Sequence, residues 1–136
     1  MAIQSRPPQR PLAVMMRRTM RTISPDTTLL EAAKQMRDAR VGALLVQEAG
    51  RYSGIVSESD LVRKGMAESC STQETLVRAV MSSPLLSIDS ARSAHEASDK
   101  MAEHGIRHLA ITEEGQVVGI ISVRDLLRYF KNWGGL

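Results

Sequence analysis

The sequence predicts an α+β protein built from two tandem copies of one unit, in which a strand, a helix, two strands and a helix follow in order. The chain of 136 residues aligns with itself, without a gap, when residues 16–61 are placed on residues 81–126. Thirteen of these 46 positions are identical, more than chance would give. In both copies, apolar residues at spacings of three and four precede two strand-like stretches, which indicates a mixed unit.

Each copy opens with an extended lead-in, "RTISPDTTL" or "LLSIDSARS", that ends among residues suited to the N-cap of a helix. The N-cap candidates are Asp26, Thr27 and Thr28 in the first copy and Asp89 and Ser90 in the second. The spacing of the apolar residues then predicts helices over residues 29–40 and 94–104, each with one apolar face.

The second half of each copy predicts a hairpin followed by a helix. The apolar runs "VGALLV" and "IRHLAI" suit strands that are buried on both faces. The links "QEAGR" and "TEEGQ" are typical of hairpin turns, and "YSGIVS" and "VVGIIS" form the returning strands. A final helix begins at a Ser-x-x-Asp sequence in both copies. One unit has too little core to fold alone, so we expect the two copies to pack sheet to sheet with pseudo-twofold symmetry.

The charge divides the chain into a basic arm and a nearly neutral remainder. Residues 1–21 hold five arginines and no acid, whereas the other residues carry 13 basic and 15 acidic side chains, a net charge of −2. The predicted organisation is a flexible basic arm over 1–13, a first repeat over 14–67, a connector over 68–79, a second repeat over 80–130 and a tail over 131–136. We favour a solvated arm, with binding of nucleic acid or acidic lipid as the alternative.

The repeated Gly-x-x-Ser-x-x-Asp sequence, at residues 54–60 and 119–125, allows two interpretations. In the first, Ser-x-x-Asp is a capping box, and the glycine only lets the strand bend or approach a neighbour. In the second, the N-terminus of the helix offers N–H groups to an anion, and the aspartate accepts hydrogen bonds from the two hydroxyls of a ribose. The glycine then leaves room for a ring against the backbone, and the arrangement suits a ribonucleotide.

The chain resembles the cystathionine-beta-synthase (CBS) domain, and as a whole it resembles a stand-alone pair of CBS domains. The resemblance rests on "VMM", "TISPDTTL", "VGALLV" and "GIVSESDL" in the first copy, and on "VMSSPLLSI", "IRHLAI" and "GIISVRDL" in the second. It implies a disc-like module, often a homodimer, with two clefts for adenosine-containing ligands between the repeats. It further implies a regulatory sensor of AMP, ADP or ATP, with NAD or S-adenosylmethionine as alternatives.

The resemblance also implies the residues of each site. In the main site Asp125 would hold the ribose hydroxyls; its predicted residues are Asp125, Ser122, Arg124, Arg107, His108, Thr19, Met20 and Arg21. The second site would be weaker; its predicted residues are Asp60, Ser57, Gly42, Ala43, Leu85 and Leu86. The second site has no cations in the positions that match Arg107, His108 and Arg124, so we expect it to favour phosphate less.

Other kinds of chemistry are not predicted. The sequence has no recognisable Ser/His/Asp or Cys/His arrangement and no Walker-type glycine loop, so we predict no enzyme activity and no catalytic cofactor. His104 and His108 are four residues apart, but Gly105 interrupts the helix between them, so we predict no metal site.

The remaining features predict where the protein acts and with what. A single cysteine, Cys70, and the lack of an apolar leader or membrane-length apolar run predict a cytoplasmic protein with no membrane partner. The expected partners are a nucleotide, a second copy of the chain and an effector protein, and not nucleic acid. The rival hypothesis is a structural dimerisation or protein-docking module without a small-molecule ligand.

Overall fold

The computed structural model describes residues 10–133, and the chain forms two compact units that each contain a three-stranded sheet. One unit is Met20–Leu86, and the other combines residues 10–19 with residues 87–133. The predicted α+β class and the tandem repeat are confirmed. Residues 1–9 of the predicted arm and residues 134–136 of the predicted tail lie outside the described part of the chain.

The unit Met20–Leu86 contains the first sheet, in which β1 pairs parallel to β2 and β2 pairs antiparallel to β3. Its elements are β1 (Thr22–Ile23), α1 (Leu29–Ala39), β2 (Ala43–Glu48), β3 (Arg51–Ser57) and α2 (Glu58–Asp60). After α2 come a π-helical turn (Leu61–Gly65) and two 3-10 turns (Met66–Glu68 and Val77–Ala79).

The other unit repeats this topology, with β4 parallel to β5 and β5 antiparallel to β6. It begins with a 3-10 turn at Leu12–Val14, and its further elements are β4 (Ser87–Asp89), α3 (Ala94–His104), β5 (His108–Glu113), β6 (Gln116–Ser122) and α4 (Val123–Trp133). Both hairpins shift register at the same place, between Val46 and Gln47 and between Ile111 and Thr112.

The starts of α1 and α3 follow the capping rule, but one predicted cap is wrong. Thr28 Oγ1 accepts a hydrogen bond from the Glu31 N–H, and Ser93 Oγ accepts one from the Glu96 N–H, both over 3.2 Å. Thr28 is among the predicted caps, whereas Asp89 and Ser90 are not the cap of α3. Asp89 closes β4, and its carboxylate accepts instead from the Ala91 N–H over 2.9 Å, so it stabilises the turn before the helix.

The end of α1 also differs from the prediction by one residue. Arg40, which we expected inside the helix, has a left-handed φ of 55°, so the helix ends at Ala39. The equivalent position in α3 is Gly105, with a φ of 62°. Both helices therefore end in the left-handed conformation that commonly terminates helices, and only the second uses the residue type that adopts it without strain.

The predicted burial of the first hairpin strand is confirmed for the later part of each run, whereas Arg107 in the second run is exposed. Ala43–Val46 and Leu109–Ile111 are buried without interruption. In the first unit, Leu44 and Val46 belong to a core that also includes Met36 from α1. Burying one such side chain stabilises the fold by about 1.5–3 kcal/mol, so a run of them fixes the sheet firmly against the helix.

Each sheet is completed by a segment that we name the entry segment, residues 12–17 in one unit and residues 77–82 in the other. Leu12 and Val77 are fully buried, and their N–H groups donate to equivalent carbonyls, those of Arg92 and Thr27. At its other end each entry segment forms a pair of backbone hydrogen bonds with the outer hairpin strand.

The pairs at that end match across the repeats. Arg17 and Ile120 exchange bonds of 2.9 and 3.0 Å, and Ser82 and Ile55 exchange bonds of 2.8 and 3.0 Å. Leu12 is buried in its unit and Ala13 is partly buried, whereas the sequence pattern placed both residues in the flexible arm.

Within residues 10–133 no helix combines the length and the apolar character that crossing a bilayer requires.

Candidate ligand sites at the two Ser-x-x-Asp turns

Both Ser-x-x-Asp turns form complete capping boxes at the start of a helix. The Asp125 Oδ2 accepts from the Ser122 N–H over 2.9 Å and from the Ser122 hydroxyl over 3.0 Å, and Ser122 Oγ accepts from the Asp125 N–H over 3.2 Å. The same three contacts join Ser57 and Asp60, over 2.9, 3.1 and 3.3 Å. One carboxylate oxygen of each aspartate is thus committed to holding the helix start.

The remaining oxygen, Oδ1, contacts a cation in both turns. Arg17 Nε lies 3.3 Å from Asp125 Oδ1, and Lys64 Nζ lies 3.0 Å from Asp60 Oδ1. Asp125 and Asp60 are only 7% and 8% exposed, whereas the side chains of Arg17 and Lys64 are 44% and 48% exposed. Each buried carboxylate is therefore balanced by a cation that itself keeps contact with solvent.

The two cations come from different places in the repeat. Arg17 lies in an entry segment, and its equivalent 65 positions later is Ser82. Lys64 lies in the helical turn that follows the aspartate of its own repeat, and its equivalent is Tyr129. Tyr129 is buried, and its hydroxyl accepts a hydrogen bond from the Arg10 N–H over 3.2 Å. The two sites keep one cation each, but deliver it from non-equivalent positions.

Sequence analysis missed both cations. Arg17 precedes the quoted lead-in and approaches Asp125 only through the pairing of its entry segment with Ile120. Lys64 lies beyond the aligned range 16–61, although its position four residues after Asp60 on a helix is a signal that would have suggested the contact.

The glycines of the repeated motif serve close backbone approach. A Cβ atom on Gly119 would lie 2.8 Å from the Arg17 carbonyl oxygen and 2.9 Å from Met16 Sδ, and one on Gly54 would overlap the Ser82 carbonyl oxygen. The expectation that these glycines leave room for a ligand ring is wrong, because the entry segment fills that room.

The helix N-termini are also used by the protein itself. The first N–H groups of α2 and α4, on Glu58 and Val123, donate over 2.9 Å to the carbonyls of Gly42 and Arg107. The aspartate N–H groups donate to serine hydroxyls. Most of the N–H groups that we expected to bind an anion therefore already have partners within the protein. Side chains, and not helix ends, are what these turns offer to a ligand.

His108 is a half-buried titratable ring beside the Asp125 turn. It stands at the start of β5, opposite Ser122 in the hairpin register. Burial is the main cause that lowers the pKa of His108 below 6.5; the Asp125 carboxylate opposes this, and Arg107 and Arg17 add to it. The ring is therefore neutral at pH 7 and offers one donor and one acceptor.

The other predicted residues of the main site are distributed over both units. Thr19 and Arg124 are exposed and belong to the unit of Asp125. Arg107 is exposed as well, and it borders an open groove of about 430 Å³ between α3 and α4. Met20 and Arg21 belong to the unit Met20–Leu86, where the Arg21 carbonyl accepts from the Leu45 N–H over 3.0 Å.

The predicted residues of the second site all lie in the unit Met20–Leu86. Ala43 is buried in β2 and pairs with Ser57 across the hairpin, whereas Leu85 and Leu86 are partly buried after the entry segment. The prediction that this site lacks a cation in the matching positions overlooks Lys64, which supplies one from elsewhere.

Metal chemistry has no visible site in the described part of the chain. Residues 10–133 contain no cluster of three or more His, Cys, Asp or Glu side chains placed to hold a metal ion. His104 Nδ1 lies 3.0 Å from the Lys100 carbonyl oxygen, so this ring is bonded within its own helix.

The protein consists of two tandem α+β repeats. Each repeat has a sheet of the same topology, which leads into a capped Ser-x-x-Asp turn with a cation on its carboxylate. The chain belongs to the CBS domain family, whose model matches residues 12–67 and 77–132. Both matches begin at the first residue of an entry segment, Leu12 and Val77. The family model and the packing thus agree on where each repeat starts.

Named relatives share the family. The CBS domain-containing protein YhcV of Bacillus subtilis is 38% identical over 105 residues, which cover 77% of this chain and 74% of that protein. The protein MK0525 of Methanopyrus kandleri is 33% identical over 114 residues, which cover 82% of this chain. This chain spans 58% of the length of the Methanopyrus protein.

Solved structures show the same fold. A putative signal-transduction protein with CBS domains from Burkholderia ambifaria is 32% identical with a TM-score of 0.80, and each chain is covered to 82%. A conserved protein from Pyrococcus horikoshii is 31% identical with a TM-score of 0.83, with 89% of this chain and 92% of that chain covered. The hexameric CBS-CP12 protein from bloom-forming cyanobacteria is 25% identical with a TM-score of 0.83, with 93% of this chain and 76% of that chain covered.

Proposed function

We propose that the protein is a non-catalytic regulatory module that binds an adenine nucleotide at the Asp125 turn. The observation that carries this proposal is the state of the Asp125 carboxylate, with Oδ2 fixed by the helix start and Oδ1 facing the half-exposed guanidinium of Arg17. Membership of the CBS family supports a regulatory role, as does the likeness to a putative signal-transduction protein. Stand-alone CBS-domain proteins are generally non-catalytic.

The carboxylate and the guanidinium suit the two ends of a ribose phosphate. A ribose presents two neighbouring hydroxyl donors, and Asp125 Oδ1 is an acceptor with one long contact of 3.3 Å. Within residues 10–133, Arg17 uses only Nε in a hydrogen bond, so its two terminal nitrogens are open to a phosphate. A planar guanidinium can bind two phosphate oxygens in parallel, which a lysine cannot do.

The charges around this turn favour a ligand with phosphate. Arg17 contacts Asp125 Oδ1, and Arg107 directly precedes His108, which pairs with Ser122 in the hairpin register. The Asp125 carboxylate forms a salt bridge with Arg17, whereas the exposed Arg107 forms none within residues 10–133. AMP, ADP or ATP would supply a counter-charge. S-adenosylmethionine has no phosphate, and NAD would place its pyrophosphate there.

The rival hypothesis, a docking module without ligand, is favoured by one observation. The capping boxes are complete in both repeats, so helix capping accounts for Ser122 and for one oxygen of Asp125. A cation on the other oxygen balances the buried charge under either hypothesis, but capping gives no role to the terminal nitrogens of Arg17, which make no hydrogen bond within residues 10–133. This difference separates the two hypotheses experimentally.

The test is isothermal titration of the protein with AMP, ADP, ATP, NAD, NADH and S-adenosylmethionine, repeated on Asp125→Asn. The amide keeps an oxygen that accepts from the Ser122 N–H, so the helix cap is largely preserved while the negative charge is removed. Saturable binding of a phosphate-containing ligand that disappears in the variant supports the proposal. The docking module would be supported if none of the six ligands bound and the substitution only lowered the melting temperature.

A further inference from the structure

Lys64 is held by three acceptors at the Asp60 turn. Its ammonium donates to Asp60 Oδ1 over 3.0 Å, to the Val80 carbonyl over 3.2 Å and to Ser82 Oγ over 3.3 Å. An ammonium has three N–H donors, so each of them has a partner here. The lysine therefore joins the capped aspartate to the entry segment and leaves no donor for a further anion.

The Asp125 turn lacks this arrangement. The position equivalent to Lys64 is Tyr129, which has no ammonium and whose hydroxyl accepts a hydrogen bond from the Arg10 N–H. The cation there, Arg17, makes one hydrogen bond through Nε within the described residues. One turn thus has a saturated cation, and the other has a cation with most of its donors available.

The backbone around Lys64 also departs from the other repeat. Leu61–Gly65 forms a π-helical turn, whereas the equivalent part of α4 is regular α-helix up to Trp133. Single π-helical turns are found frequently at functional sites. Here the widened turn contains the one residue that reaches back to the aspartate.

We propose that Lys64 is a built-in occupant of the Asp60 turn, so that the protein binds one nucleotide per chain, at Asp125. This inference rests on the proposed function and adds the number of sites and the residue that sets it. A ribose would have to replace the ammonium at Asp60 Oδ1, and a phosphate would have to draw Lys64 away from Val80 and Ser82. Because the lysine side chain is 48% exposed, this is a competition that lowers affinity, and not a steric wall.

The experiment is a titration with ATP that reads stoichiometry in Lys64→Met and in a matched control, Arg63→Met. Both variants lose one positive charge from the same exposed turn, but only the first removes the contacts to Asp60, Val80 and Ser82. We expect one site per chain in the wild-type protein and in Arg63→Met, and two in Lys64→Met. Circular dichroism and the melting temperature of each variant show whether it is folded.

The double variant Asp125→Asn/Lys64→Met isolates the second turn. We expect it to bind one ATP saturably, whereas Asp125→Asn alone, in which the lysine still competes, shows no measurable binding. The inference would be overturned if the wild-type protein bound two ATP molecules per chain. It would also be overturned if the wild type bound ATP and the double variant did not. In both cases the proposed function would stand. Silence of the wild type and of every variant would overturn both.

Discussion

Arg17 donates from Nε to Asp125 Oδ1 over 3.3 Å, although the two residues are 108 positions apart in the chain. The contact exists because the entry segment that precedes the first repeat pairs with Ile120 of the second. A ligand site at this turn therefore depends on a residue that sequence proximity would assign to the other repeat.

Replacing Arg17 should separate phosphate binding from adenosine binding. Arg17→Met should lower the affinity for ATP by about tenfold to a hundredfold, since a charge-assisted contact to phosphate is lost, and should leave weak binding of adenosine unchanged. The measurement is titration calorimetry with both ligands. The control is Arg18→Met, whose exposed side chain lies 3.7 Å from Glu113 and does not contact Asp125. Equal losses in the two variants would mean that only net charge matters.

Gly119→Ala should detach the entry segment from its sheet. The new Cβ would lie 2.8 Å from the Arg17 carbonyl oxygen, a distance that forces the backbones apart. We expect a loss of about 1–3 kcal/mol in the free energy of unfolding, measured in urea. We also expect faster trypsin cleavage after Arg17 and Arg18 under native conditions. An unchanged cleavage rate would show that the entry segment tolerates the added methyl group without moving.

The two serine caps should be equal in stability and unequal in binding. Ser57→Ala and Ser122→Ala should each cost about 1 kcal/mol, because each removes the acceptor of one helix N–H and one partner of the aspartate. Only Ser122→Ala should weaken nucleotide binding. The two free energies come from urea unfolding and the affinities from calorimetry, and equal effects on binding would contradict the single-site account.

His108 should make stability depend on pH. Because burial lowers its pKa in the folded state, the unfolded chain binds its proton more readily, and stability rises with pH wherever the two states differ in protonation. The contribution is complete above the unfolded pKa of 6.5 and is lost as the pH falls from there towards the folded pKa. Melting temperatures at pH 7.5 and 5.5 should therefore differ more in the wild type than in His108→Gln. His104→Gln, which alters an exposed ring, should resemble the wild type.

Self-association is expected to involve one exposed apolar position in each repeat. Val62 and Leu127 are equivalent across the repeats and are 52% and 53% exposed, so neither side chain is covered within its own unit. Val62→Glu/Leu127→Glu should shift a dimer towards monomer in light scattering coupled to gel filtration. The exposed Val14→Glu serves as a control of the same chemistry. A wild-type protein that is monomeric at all concentrations would rule out the dimer.

Much of the fold could be predicted because the repeat tests every local pattern twice. Helix α3, the two hairpins and the buried strands agree with their periodicities. The misplaced cap of α3 shows where local chemistry misleads, since Asp89 is a good cap by type but closes a strand instead. Thr28 and Ser93 are equivalent by the shift of 65, so aligning the repeats on the cap Thr28 would have predicted Ser93 as the cap of α3.

The sites were only partly predictable because their cations arrive through tertiary packing. The capping roles of Ser122 and Asp125 follow from spacing alone. That Arg17 would reach Asp125 depends on which strand the entry segment joins, and that Gly119 would face a backbone depends on the same pairing. Lys64 and Tyr129 occupy equivalent positions, but only Lys64 contacts the aspartate of its own repeat. The identical motifs that precede the two residues do not indicate this difference.

The most direct test of the central claim is a comparison of ATP binding by Asp125→Asn and Asp60→Asn. The two substitutions remove the same charge from equivalent capped turns, so their effects on stability should be similar and only their effects on binding should differ. The account predicts that Asp125→Asn abolishes binding and that Asp60→Asn leaves the affinity and the single-site stoichiometry unchanged. Loss of binding in Asp60→Asn with full binding in Asp125→Asn would contradict it.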